Sequence, residues 1–79
     1  MAKKISPEVV EEQMKAIGDK VRELRKQINP NYEAWSFLNS VNKVSLNRLE
    51  RGENVTTKML LQILQKLGVS AMDFFKDIK

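Results

Sequence analysis

The side chains best placed to do chemistry lie in the stretch "NKVSLNRLERG", residues 42–52. Wound as a helix with Leu46 at the origin, Leu49 falls at about 300° and Glu50 at about 40°. Val44, Asn47, Arg48 and Arg51 fall between about 100° and about 200°, with Lys43 on the shoulder at about 60°. One side thus carries two leucines. The other carries two guanidiniums, an amide and an isolated valine. Arginine can donate two hydrogen bonds to guanine O6 and N7, asparagine suits adenine, and a small apolar group can meet the thymine methyl. A helix also fits the major groove of duplex DNA. The alternative is a solvated face with one stray valine, which is ordinary on folded proteins. This helix alone supports both readings.

Glu50 adds to the first reading, because it sits beside the leucines and a carboxylate there needs a partner. On an earlier helix, with Val21 at the origin, Arg25 falls at about 40°, at the edge of the apolar stripe. An Arg25–Glu50 ion pair tying the two helices together is expected; two unrelated exposed charges are the alternative.

The elements that must position these residues are helical throughout. Ser6-Pro7-Glu8 reads as N-cap, first helical residue and first-turn acid. Val10, Met14, Ile17, Val21, Leu24 and Ile28 then repeat at helical spacing. Gly18 interrupts that stripe and costs about 1 kcal/mol against alanine, so a break there is one outcome the sequence allows. Asn29-Pro30 ends the helix. Asn31 can cap a second helix, Tyr32 to about Leu38, and Asn42 can cap the helix of interest, which Gly52 closes. Thr56 or Thr57 caps a fourth helix with Met59, Leu60, Ile63, Leu64 and Leu67 on one face, ended by Gly68. Ser70, with Asp73 three residues later, opens a short fifth helix holding Met72, Phe74, Phe75 and Ile78. The expectation is one compact all-α domain of five helices, residues 15–79. Residues 1–14 would form an N-terminal arm and helix extension.

Composition narrows the function. With 79 residues the chain makes one small domain, and with neither cysteine nor histidine it has no disulfide or zinc staple. The formal charge of +4 mildly favours polyanion partners. No apolar run could cross a membrane, and the chain reads as a soluble cytoplasmic protein. An enzyme is not expected. The usual bases, nucleophiles and metal ligands are missing, and Glu11 and Glu12 are adjacent on a helix and diverge. Its glycines are isolated and form no phosphate-cradling loop. No cofactor or metal is expected.

The stretch from "LRKQINPNYEAW" through "LGVSAMDFF" resembles the Cro/repressor (XRE) helix-turn-helix family over about residues 15–75, without a gap. Leu24-Arg25 matches the start of that family's pattern and Val41 its turn valine. Leu46 matches its isoleucine, Glu50-Arg51-Gly52 its E-x-G, and Leu67-Gly68-Val69-Ser70 its closing run. The chain departs at Tyr32 (a glutamine in the family), Ser36 (an alanine) and Ser40 (the turn glycine). Leu38-Asn39 shifts the apolar residue of helix two by one place, and Trp35 and Phe37 make that helix bulky. Of these, Trp35 is read as core.

The resemblance implies a lambda-repressor-like fold whose third helix, about residues 43–51, enters the major groove. Lys43, Val44, Asn47 and Arg48 would then face bases. Tyr32, Asn42, Ser45, Arg51 and Lys58 would approach the backbone, with Glu53 repelling phosphate. Lys3 and Lys4 could add a basic arm, though a disordered tail is the alternative. The implied partner is double-stranded DNA, bound as a homodimer on a pseudo-palindromic operator. Two surfaces could form that dimer: the chain end with Met72, Phe74, Phe75 and Ile78, joined by Leu61, or the N-terminal segment with Val9, Val10 and Met14. The implied function is sequence-specific transcription regulation, as a repressor or controller. The competing reading is a protein-interaction module, such as an antitoxin or a mobile-element accessory protein, that uses the N-terminal helix on a partner. RNA binding is a distant third, for want of a stacking sheet or glycine clamp.

Overall fold

Four of the five helices begin where a side-chain oxygen takes the place of a missing helical acceptor. Asn31 Oδ1 accepts from the Ala34 N–H, Thr56 Oγ1 from Met59 and Ser70 Oγ from Asp73. Asn42 Oδ1 accepts from both Val44 and Ser45. The computed structural model describes residues 7–78. It contains α1 (Pro7–Ile28), α2 (Tyr32–Leu38), α3 (Lys43–Glu50), α4 (Thr57–Leu67) and α5 (Ala71–Lys76), with no strand among the described residues. The Ser6 cap and the Lys3-Lys4 arm fall outside them.

Helix α1 does not break at Gly18; it continues unbroken from the arm segment into the body. The reason is packing. A Cβ on Gly18 would fall on the carbonyl oxygen of Leu49 and within 3.0 Å of the Gly52 nitrogen. The glycine therefore lets the C-terminal end of α3 touch the α1 backbone, and α1 with α3 forms the most extensive helix pair. Gly52 serves the same approach from the other side. It has a φ of +81°, and a Cβ there would meet Lys15 Cα at 2.9 Å.

The core is Val21, Trp35, Leu46, Leu49, Ile63, Leu64 and Phe74. The α1 stripe is buried only in its middle: Val21 is sealed, Ile17 and Leu24 pack partly, and Val10 and Ile28 are exposed. At about 1.5 Å per residue the 22-residue helix is about 33 Å long. It overhangs a body whose other dimensions are 22 and 20 Å, giving a long axis of 45 Å. The turn between α2 and α3 keeps a glycine-type backbone although it holds serine: Ser40 has a φ of +56°. That conformation costs an L-residue about 1–2 kcal/mol.

Trp35 is the one aromatic of α2 that enters the core. Phe37 is 84% exposed, and Leu38 also faces outward. Ser36, beside Trp35, is buried and donates its hydroxyl to the Tyr32 carbonyl at 2.7 Å.

Candidate functional site

Helix α3 is held from behind by three residues. Leu46 and Leu49 are core, and Glu50 is 5% exposed. The Arg25 guanidinium, 3% exposed, meets the Glu50 carboxylate with two parallel bonds: Nε to Oε2 at 2.9 Å and Nη2 to Oε1 at 2.7 Å. Its Nη1 donates to the carbonyls of Asn29 and Pro30, at 3.1 and 2.9 Å. This one side chain therefore closes the end of α1 and fixes α3 against it. Arg22 adds a longer contact, with Nε 3.7 Å from Glu50 Oε1 and Nη2 donating to the Glu50 carbonyl. Among the described residues no buried side-chain polar atom lacks a partner. The fork geometry is what a buried ion pair requires, since the cost of removing both charges from water is otherwise not recovered.

The opposite face of α3 is open. Val44 is 59% exposed; Lys43, Arg48 and Arg51 are exposed, while Asn47 and Ser45 are half-buried. The Asn42 carboxamide spends its oxygen on the α3 cap. Its N–H donors have no partner among the described residues. Tyr32 begins α2 and packs partly against the core. Lys58 stands exposed in the first turn of α4. A polar cleft between α3 and the start of α4 brings Ser45 and Arg48 beside Thr56 and Thr57.

Carboxylates attend every cation on this face. Lys43 Nζ lies 3.1 Å from Glu33 Oε2 on α2. Arg51 Nη2 lies 2.9 Å from Glu53 Oε2, and Arg48 Nε lies 3.6 Å from Glu53 Oε1. Exposed pairs of this kind contribute about 0–1 kcal/mol, so competing anions can displace them. Neither Glu33 nor the bracing role of Arg22 emerges from the sequence pattern. Their partners lie across turns, where helical periodicity carries no information. The pairing of Glu53 had a signal in Gly52, because a left-handed glycine at a helix end folds the next residue back over the last turn.

The dimer candidates separate on burial. Phe74 is not available for a dimer: it is 1% exposed, in the core, with its ring edge-on to Phe75 at 5.2 Å between centroids. Met72 is 82% exposed, Phe75 and Leu61 are exposed, and Ile78 is half-buried. Val10 is exposed, and Met14 lines a cleft with Ile17, Leu49 and Leu60. Gln13 and Ile17 of α1 share a shallow cleft with Phe75 and Ile78.

No group of three or more acidic, histidine or cysteine residues converges on a metal site among the described residues. No described helix is long and apolar enough to cross a membrane. Comparison with protein-family models, with curated proteins and with solved structures returns no match for this chain.

Proposed function

We propose that this chain is a sequence-specific duplex DNA-binding regulator that uses α2, its turn and α3 as a helix-turn-helix. The observation that carries the proposal is the division of α3 into two sides. Leu46, Leu49 and Glu50 are anchored, while Lys43, Val44 and Arg48 are exposed and Asn47 is half-buried. A rigid helix with guanidinium, amide and methyl groups on one ridge matches the donors, acceptors and methyl groups of a major-groove edge. Arg48 is assigned to guanine, Asn47 to adenine and Val44 to a thymine methyl. Asn42, Ser45, Tyr32, Arg51 and Lys58 are assigned to the sugar-phosphate backbone, which positions the protein without reading sequence. The cytoplasm is the compartment this function implies.

The active species is proposed to be a homodimer on a pseudo-palindromic site, built on Met72, Phe75, Ile78 and Leu61 with the neighbouring Val10 and Met14. The exposed α1 overhang keeps a second reading in play, in which the same fold captures a protein partner.

Selection from random duplex DNA tests the lead proposal. A recovered motif with two-fold symmetry is the expected result. Arg48→Ala should lose preference at one base pair, about 1–3 kcal/mol, and keep weak binding to random duplex. A selection that returns no motif, or the same motif with Arg48→Ala, overturns the assignment. Deleting residues 1–14 separates the two readings: under the partner-capture reading it abolishes capture and leaves duplex binding intact.

A further inference from the structure

We propose that Glu53 is a specificity-determining residue of the α3 face, an inference that rests on the DNA-binding reading above. The carboxylate is placed there by the backbone. Gly52, with φ +81°, turns the chain so that the Glu53 N–H donates to the Arg48 carbonyl at 2.8 Å and the Gly52 N–H to the Leu49 carbonyl at 3.0 Å. This pair of bonds is the Schellman closure of a helix end. It folds Glu53 back over the last turn, where one side chain engages both Arg48 and Arg51.

Two consequences follow for recognition. Glu53 Oε1 lies 3.6 Å from Arg48 Nε, an ion-pair contact on the Nε edge rather than a hydrogen bond. The two Nη groups are then left for a purine edge, and the long side chain has fewer conformers to lose on binding. Glu53 also pairs with Arg51 through Nη2 at 2.9 Å, so a phosphate must displace the carboxylate before it can contact Arg51. Lys43 is held in the same way by Glu33. Three cations on the face therefore share two carboxylates. Attraction to any polyanion is reduced, and the geometry of base contacts gains relative weight. The sequence expectation that Glu53 merely repels phosphate describes only half of this effect.

The test measures affinity for a selected duplex and for a random duplex across a salt series. It uses the wild-type chain, Glu53→Gln, Arg48→Ala and the double variant. Glu53→Gln should bind random duplex more tightly. Its log-affinity against log-salt slope should steepen by about 0.9, the value of one added phosphate contact, or about eightfold in affinity near 0.1 M salt. Its selected-to-random ratio should fall severalfold. In the Arg48→Ala background the same substitution should lower that ratio less, because the positioning acts through Arg48 and only the release of Arg51 remains. An unchanged slope and ratio in Glu53→Gln overturns the proposal while leaving the DNA-binding reading standing, as does an equal fall in ratio with and without Arg48. A wild-type chain without duplex preference overturns both. Melting temperatures of all variants within a few degrees of wild type rule out unfolding as the cause.

Discussion

Arg25 is the residue on which the orientation of α3 depends. It donates four hydrogen bonds from inside the protein, two to Glu50 and two to the carbonyls that end α1. Removing one partner of such a pair strands the other charge, at a cost of about 3–5 kcal/mol. Small domains have only about 5–15 kcal/mol in total, with this size at the low end. Glu50→Ala should therefore be only marginally folded at room temperature, with about 0–2 kcal/mol left, as read by far-ultraviolet circular dichroism and a urea titration. The double substitution Arg25→Met with Glu50→Leu removes both charges and should be more stable than Glu50→Ala alone. A double variant less stable than the single would contradict this account of the pair. The pair was legible in the sequence because Arg25 and Glu50 each sit at the edge of an apolar stripe, where an unpartnered charge would be anomalous. The exposed pair Lys43–Glu33 was not, because a charge on a wet face needs no partner and its neighbour depends on how the α2–α3 turn folds.

At the level of elements, the crossing of α1 over the end of α3 is set by absent side chains. Gly18→Ala pits two effects against each other. Alanine gains about 1 kcal/mol of helix propensity in α1. Its methyl, however, would land on the Leu49 carbonyl oxygen, part of a backbone that cannot swing away. Overpacking of that kind costs about 1–3 kcal/mol, and the backbone clash puts this site at the upper end. The variant should melt lower than wild type by several degrees, and a higher melting temperature would refute the close approach. Sequence reasoning allowed a break at Gly18 because propensity is local, whereas the reason for this glycine lies some thirty residues away. Caps and glycine ends are local by nature, so Asn31, Asn42, Ser70, Gly52 and Gly68 could all be read directly. Which of Phe74 and Phe75 enters the core could not, because the six residues of α5 span too few turns for a periodic pattern. Trp35 is read as core from the burial habit of tryptophan and is buried, whereas nothing local marks Phe37 as exposed.

The molecule as a whole is a small body with one long helix overhanging it, and Met72 and Phe75 are among its exposed apolar residues. The proposed dimer is a statement at this scale. Met72→Lys together with Phe75→Lys alters two exposed side chains and should leave the fold intact. It should weaken self-association at least tenfold in sedimentation equilibrium and weaken binding to a two-fold symmetric duplex with it. Self-association unchanged by both substitutions would move the interface elsewhere.

The two-sided construction of α3 has a last consequence. Residues 46, 49 and 50, which moor the helix, and residues 43, 44, 47 and 48, which face away, have no position in common. Drift in one set need not disturb the other. If the proposed DNA-binding reading holds, the outward four would be an exchangeable label on a permanent mount, and a lineage could change what it recognises without loosening the residues that moor the helix.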